Sequence, residues 1–143
     1  MIDQFKQNWL SKIQDSPKAL NYRIYKEKLE FENYFNFLSD KDALTFCKFR
    51  TCNHYLPIEK GRWLNISREN RTCDLCETDG LGDEFHYLLE CPALNSKRNS
   101  LLPLNITRRP NILKFKTIMN SQRQSILRKV CNFIRIIFKE NPA

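Results

Sequence analysis

The chain has 143 residues, 28% of them charged, and a formal net charge of +8. This length suits one domain with its own core, and three glycines with six prolines are too few for the many tight turns of a β-sandwich. The sequence has no apolar run of about eighteen residues and no start typical of a secretion signal, so we expect an intracellular protein without membrane contact. In a reducing compartment, its six cysteines indicate a metal rather than a disulfide framework.

The N-terminal stretch predicts three short elements. Residues 4–14 have the pattern of an amphipathic helix, residues 22–26 alternate as a short β-strand does, and residues 31–38 suit one helical pass under the core. The apolar side of the first helix consists of Phe5, Trp9, Leu10 and Ile13.

A longer helix is predicted from residue 40 to about residue 52. Ser39 and Asp42 resemble a capping box in which Asp replaces the usual Glu. The residues expected to face inward are Ala43, Leu44, Phe46 and Cys47. Residues 55–72 contain Pro57, Gly61 and many polar side chains, so they predict an ordered loop.

The most informative motif follows this loop and has the spacing C-x2-C-x9-H-x4-C. It consists of Cys73, Cys76, His86 and Cys91. Zinc prefers four thiolate or imidazole ligands in a tetrahedron, and a C-x-x-C turn brings two sulfurs to one point. We therefore predict one structural Zn²⁺ at these four residues.

The second half of this motif poses a geometric problem. Asp83 can cap a short helix that carries His86, but five helical residues turn through about 500°, so His86 and Cys91 would not share a helix face. Pro92 offers a solution, because the residue before a proline is disfavoured in the α region. Cys91 is then expected to turn back toward the metal.

Other interpretations of the cysteines stay open. The motif can instead be a set of unrelated buried thiols and a core histidine, and Cys52-Asn53-His54 can form half of a second site. Cys47 and Cys131 lie in apolar helical patterns and are expected in the core. Three Cys and one His close a zinc site to water, and Cys52 and His54 would point apart on an extended strand, so we expect no catalytic residues and no enzyme.

The C-terminal residues 92–143, here named the basic tail, carry most of the charge. Residues 1–91 contain 13 Lys or Arg and 15 Asp or Glu, a net charge of −2. The basic tail contains 11 Lys or Arg and one acid, Glu140, a net charge of +10. Such a segment repels itself unless it meets a polyanion, usually nucleic acid. The alternative is a solvated helical face.

The basic tail also predicts three helices, over residues 96–102, 111–119 and 121–139. The last is too broadly apolar for a coiled-coil seam, so we expect it in the core. The predicted phosphate-binding residues are Arg108, Arg109, Lys114, Lys116, Arg123, Arg128 and Lys129. Trp63 and Phe85 are candidates for stacking on unpaired bases, which favours single-stranded RNA or DNA, although burial is the more common fate for Trp63.

Residues 49–92 resemble a known family. Residues 49–63 match the block F-R-x-x-x-H-x-L-x-I-E-x-G-R-W/Y, and the later segments match R-x-C-x-x-C and D-E-x-H-x-L-x-x-C-P. This combination is similar to the CCHC zinc-finger region that follows the reverse transcriptase domain in non-LTR (LINE-type) retrotransposon proteins. The resemblance covers about a third of the chain strongly. It implies nucleic-acid contact near the priming step of reverse transcription.

The resemblance does not imply polymerase activity. The polymerase of that family needs an Asp-Asp pair for its metals, and the sequence contains no such dipeptide. We therefore expect a detached C-terminal part of such a protein. In the motif block, the side chains of Arg50, His54, Glu59 and Arg62 are expected to form internal hydrogen bonds, with Glu59 and Arg62 as an ion pair.

These observations predict a mainly α domain with a small zinc-stabilised loop and a short β element. We expect three divisions within one compact domain. Residues 1–38 form an N-terminal segment, residues 39–95 form the zinc module, and residues 96–143 form the basic helices. The expected function is zinc-dependent nucleic-acid binding, with a reverse transcriptase as a further candidate partner. The alternatives are a protein-interaction module, which exposed Phe31, Tyr34, Phe35 and Phe37 would favour, and a decayed element without function.

Overall fold

The computed structural model describes residues 1–143 and consists mainly of helices, which confirms the helix-rich prediction. Nine α-helices are α1 (Ile2–Asp15), α2 (Tyr22–Tyr25), α3 (Tyr34–Phe37), α4 (Asp40–Arg50), α5 (Pro57–Trp63), α6 (Asn95–Leu101), α7 (Leu104–Thr107), α8 (Ile112–Met119) and α9 (Gln124–Glu140). Two 3₁₀ turns, Arg68–Asn70 and Pro92–Leu94, and one π turn, His86–Glu90, complete the helical structure. The structure has no β-strand, and the expected β element is a single antiparallel bridge between Thr72 and Leu81.

Helix α9 forms the centre of the core. It packs against α4, α6 and the π turn. Its fully buried apolar residues are Leu127, Val130, Phe133, Ile134 and Ile137, which recur at the three- and four-residue spacing of one helix face. The predicted core role of this helix is therefore confirmed, as is the burial of Cys131.

Side-chain caps start two of the helices. The Ser39 hydroxyl accepts a hydrogen bond from the Asp42 backbone N–H at 3.2 Å, as the capping motif predicts. Asn111 caps α8 in the same way, accepting from the Lys114 N–H at 2.9 Å. In each case a backbone donor that the helix leaves unpaired gains a partner.

Two predictions for the first half of the chain are wrong. Residues 22–26 are not a strand, because Tyr22 and Tyr25 are three apart on a helical turn and their rings meet edge to face at 5.8 Å. In α4, Leu44 is exposed rather than buried. The expected helix over residues 31–38 is reduced to the four residues of α3.

The predicted loop over residues 55–72 contains helix α5. Pro57 occupies the first turn of the helix, where a missing N–H costs nothing. Gly61 lies inside the helix, where a Cβ would collide with the side-chain stem of Arg71. Pro57 and Gly61, which suggested a loop, therefore start a helix and allow close packing against Arg71, respectively.

Buried Arg50 connects several elements. Its guanidinium donates to the Met119 carbonyl and to Glu32 at 3.3 Å, and the Tyr25 hydroxyl donates to its carbonyl at 2.6 Å. Helix α1 contributes no buried residue. None of the helices is long and apolar enough to span a membrane.

Candidate metal centre and basic surface

The two closely spaced cysteines lie on a tight hairpin. The Cys73 N–H donates to the Gly80 carbonyl and the Gly82 N–H donates to the Arg71 carbonyl, both at 2.8 Å. Within the turn, the Leu75 N–H points at the Cys73 sulfur at 3.3 Å. The hairpin thereby directs both thiols of the C-x-x-C motif to one side.

A capped π turn supplies the other half of the site. Asp83 Oδ1 accepts from the His86 N–H at 2.9 Å, so the predicted cap is confirmed. The Cys91 N–H reaches back five residues to the His86 carbonyl at 2.7 Å. Since a π turn holds more residues than an α turn, residues five apart approach each other. Cys91 itself lies outside the α region (φ −50°, ψ 115°), as expected before Pro92.

Four potential metal ligands converge at this place. One donor atom from each of Cys73, Cys76, His86 and Cys91 lies within 4.8 Å of the others. The Cys73 and Cys91 sulfurs are 3.8 Å apart, and the Cys76 sulfur is 3.4 Å from His86 Nε2. The four residues that the spacing selected thus form one cluster that could hold a metal ion.

Local hydrogen bonds prepare one thiol for coordination. Partial burial raises the pKa of Cys76, but hydrogen bonds with the Thr78 hydroxyl and backbone outweigh it and lower this pKa to about 6. Burial and the neighbouring Cys73 thiol raise the pKa of Cys91 to about 12. Because a metal ligand must be a thiolate, binding at Cys91 requires the metal's charge to displace its proton.

The histidine ring is oriented by its surroundings. Nδ1 faces a Glu90 carboxylate oxygen at 3.6 Å, which leaves Nε2 directed at Cys76. Gly80 allows the close approach, because a Cβ there would lie 2.7 Å from the ring. At 3.6 Å the contact with Glu90 is longer than a hydrogen bond, so the close packing against Gly80 is the clearer constraint on the ring.

The block before the hairpin holds it in place through internal bonds, as predicted. Arg50 bonds to Met119 and Glu32, as described above, and Arg62 Nε donates to Glu59 at 3.1 Å. His54 lies 2.7 Å from Glu84, beside the capped π turn. The Ile58 N–H also donates to the Gly82 carbonyl at 3.0 Å. These polar groups are therefore engaged in internal contacts and do not converge on one cleft, since Arg50 and His54 line different hollows.

Cys52 and His54 converge, contrary to the expectation that they point apart. Cys52 has φ 57°, so this segment is not an extended strand, and both side chains meet Glu84 in a buried cluster. His54 Nδ1 accepts from the Leu56 N–H, so Nε2 donates to Glu84. Asn21 also donates to Glu84, at 2.7 Å, and burial followed by the Glu84 charge raises the pKa of Cys52. Direct hydrogen bonds thus account for this network.

Sequence patterns did not identify Arg98 as part of the site. It is 2% exposed and donates to the carbonyls of Leu88, Tyr87 and Cys91 at 2.8–3.1 Å. Tyr87 and Leu88 belong to the π turn, and Cys91 follows it directly; the Cys91 carbonyl also accepts from the Leu94 N–H at 3.2 Å. The only signal in the sequence was an arginine seven residues after the last cysteine, which looked like one more cation of the basic tail.

Four of the eleven cations in the basic tail are buried or paired with a carboxylate. Arg98 is buried, Lys97 pairs with Glu140, Lys116 pairs with Glu27, and Arg135 pairs with Asp42. Seven remain without a carboxylate partner: Arg108, Arg109, Lys114, Arg123, Arg128, Lys129 and Lys139. Lys116 is therefore the one predicted phosphate contact whose charge is already neutralised.

Three of the seven free cations, Arg108, Lys114 and Arg123, line a surface groove, and Arg109 follows Arg108 in the chain. Two adjoining hollows of about 290 and 640 Å³ share Asn105 and run across α6, α7, α8 and the start of α9. We name them the basic groove. Its polar lining is Asn95, Asn99, Asn105, Thr107, Arg108, Lys114, Thr117, Ser121 and Arg123, and no Asp or Glu contributes. An acid-free groove of this kind favours an anionic ligand.

The two candidate stacking residues differ in accessibility. Trp63 is 50% exposed, so it is not buried, although burial is more common for such a residue. Phe85 is partly buried, and its ring meets Phe115 edge to face at 5.5 Å. Trp63 is therefore the more available of the two.

Comparisons with models of protein families, with curated proteins and with solved structures gave no match. The metal cluster and the distribution of charge are therefore the features that bear on function.

Proposed function

We propose that this protein is a zinc-stabilised module that binds nucleic acid through its basic groove. The acid-free groove of the basic tail is the observation that carries this proposal. The metal cluster holds the surrounding structure together, and it takes no part in a reaction because three Cys and one His fill a closed structural site.

The donor distances support zinc as the metal. Two thiolates bound at 2.3 Å to a tetrahedral zinc lie about 3.8 Å apart, and a thiolate and an imidazole lie about 3.6 Å apart. The corresponding separations are 3.8 Å for Cys73 and Cys91 and 3.4 Å for Cys76 and His86. Three sulfurs and one nitrogen also suit zinc better than the oxygen-preferring Mg²⁺ or Ca²⁺. Zinc fits these side chains with little rearrangement.

The residues of the family resemblance surround this cluster. Ile58 bonds to Gly82, His54 bonds to Glu84, and the Arg71 guanidinium donates to the Ile58 carbonyl at 3.2 Å. The matched block and the matched zinc motif thus contact each other directly. We propose on this basis that the chain is related to the zinc-finger region of non-LTR retrotransposon proteins and binds their nucleic acid.

A change of charge in the groove tests the proposal. Phosphate contacts release counterions, so log affinity falls linearly with log salt, with a slope of about 0.7–0.9 per contact. Changing Arg108, Arg109, Lys114 and Arg123 to Gln is therefore expected to weaken binding and to reduce this slope by about 3. The measurement is fluorescence anisotropy of labelled single-stranded RNA, single-stranded DNA and duplex at several salt concentrations.

A matched variant controls for net charge. Lys6, Lys12, Lys18 and Lys28 lie in the N-terminal segment without a carboxylate partner, and their change to Gln removes the same charge. This control is expected to bind almost as the original protein does. Equal binding by the groove variant and the original protein, or no binding at low salt, contradicts the proposal.

One observation favours a protein-interaction module as a second candidate. Phe31 and Phe35 are 65% and 47% exposed, and the centroids of their rings are 6.1 Å apart. Tyr34 is buried and Phe37 is partly buried, so only half of the predicted aromatic set is available to a partner. Retention of a protein partner together with no nucleic-acid binding would favour this second function.

A further inference from the structure

Tyr55 and Trp63 form an exposed aromatic pair beside the zinc hairpin. Their ring centroids are 5.6 Å apart at 74°, and the side chains are 47% and 50% exposed. Tyr55 lines a hollow with Phe138 and Pro142, and about half of each aromatic side chain remains open to a ligand. Aromatic rings on a surface offer stacking faces to planar ligands, and unpaired bases are such ligands.

The backbone beneath the two rings is fixed by burial. Trp63 is the last residue of α5, whose Ile58, Glu59 and Gly61 are buried. Tyr55 lies between His54 and Leu56, which are also buried. Since the backbone is already ordered, a ligand that stacks here does not lose binding free energy to the ordering of a loop.

The charge around the pair suits a polyanion. From residue 43 to residue 68 the chain has one carboxylate, Glu59, which is 3% exposed and paired with Arg62. Lys48 lines the same hollow as Tyr55, Lys60 lies on the helix of Trp63, and neither has a carboxylate partner. Cations beside an aromatic pair are the combination that tracks a single strand, with phosphates on the cations and bases on the rings.

The other exposed aromatic residues lack this combination. Phe31 lines a hollow in which three carboxylates and three cations balance, Glu27, Glu30, Glu32, Lys26, Lys28 and Arg50. Phe5 lies on α1, whose two Asp and two Lys also balance. Aromatic exposure and positive charge therefore coincide at Tyr55 and Trp63.

Residues at and just after the end of α9 contact the helix of the pair and one helix of the basic groove. The Lys60 ammonium donates to the Pro142 carbonyl at 3.3 Å, and Lys97 pairs with Glu140 at 2.8 Å. Lys60 belongs to the same helix as Trp63, and Lys97 to the same helix as Asn95 and Asn99 of the groove. The end of α9 and Pro142 thus contact both helices.

We propose that Tyr55 and Trp63 stack on unpaired bases and give the protein its preference for single-stranded RNA or DNA over duplex. This inference rests on the proposed nucleic-acid function and adds the group that recognises the strand. A duplex keeps its bases stacked on one another, so it can use the groove but not the aromatic pair.

Fluorescence tests the stacking directly. The chain has two tryptophans, so Trp9→Phe leaves Trp63 as the only one. Oligouridylate and oligothymidylate are expected to quench its emission, whereas a duplex of equal length is not. In the original protein, Trp63→Leu is expected to lower single-strand affinity about 10-fold while the duplex affinity and the salt slope stay unchanged.

Control variants separate stacking from folding. Trp63→Phe keeps an aromatic face and should retain most of the affinity, and Phe31→Leu removes an exposed ring elsewhere and should have no effect. Circular dichroism and zinc content check that each variant is folded. If Trp63→Leu binds single strands as the original does, while the groove variant loses binding, the stacking proposal is wrong and the proposed function stands. No binding to any nucleic acid overturns both.

Discussion

At the residue scale, Arg98 shows how a charged side chain can serve the metal site without touching the metal. Its three hydrogen bonds hold carbonyls within and just after the π turn, and its guanidinium lies over the Phe133 ring at 5.6 Å. Lysine cannot reproduce this contact, because an ammonium lacks the planar fork of a guanidinium. The residue joins the metal site to α9.

We expect Arg98→Lys to reduce the free energy of unfolding by about 2–3 kcal/mol, because the buried carbonyls lose charged hydrogen bonds. Urea unfolding with zinc in excess measures this change. Lys97→Arg is the matched control, since Lys97 is exposed and its surface ion pair with Glu140 contributes little to stability. Equal stability of the two variants would mean that the π turn does not depend on Arg98.

At the element scale, the structure shows which helices local patterns can predict. Helices α1, α4, α6, α8 and α9 follow from spacing and caps that lie within each segment. Helices α2 and α5 do not, because long-range contacts decide them: Tyr25 bonds to Arg50, and Gly61 packs against the Arg71 stem. The four residues of the metal cluster were predictable from spacing, whereas the groove depends on how four helices meet.

The π turn solves the geometric problem of the motif in a way that α-helix geometry does not suggest. Pro92 contributes by holding Cys91 out of the α region. We expect Pro92→Ala to weaken zinc binding about two- to fivefold, because the unbound segment gains conformations that Cys91 must leave on binding.

Competition with a chromophoric chelator measures this affinity. Pro103→Ala is the control, since Pro103 lies between α6 and α7, away from the metal cluster, and its removal should leave zinc affinity unchanged. An unaltered affinity for Pro92→Ala would show that the hydrogen bond from Cys91 to His86 alone sets the turn.

At the scale of the whole molecule, the metal cluster and the helical core contact each other but are stabilised by different interactions. The hairpin has few backbone hydrogen bonds, whereas α9 and α4 are held by a continuous apolar core. Because the unfolded chain has no preformed site, metal binding contributes to folding locally. Loss of the metal should therefore affect the two regions unequally.

We expect native mass spectrometry to show one zinc ion per chain, and a chelator or Cys76→Ser to remove it. Hydrogen exchange should then accelerate in residues 65–95, while α4 and α9 retain more protection. Cys131→Ser is the control, because Cys131 is buried but outside the cluster, and it should leave the zinc content unchanged. A uniform acceleration along the whole chain contradicts this division.

The positions of the four metal ligands in the chain also have a kinetic consequence. They all come from residues 73–91, so binding a metal closes only short loops, whose entropy cost is small. The ion pair of Asp42 and Arg135, by contrast, joins residues 93 apart in the chain. Contacts between distant residues slow folding. We therefore expect the meeting of α4 with α9, and not the closing of the metal cluster, to limit the rate at which this protein folds.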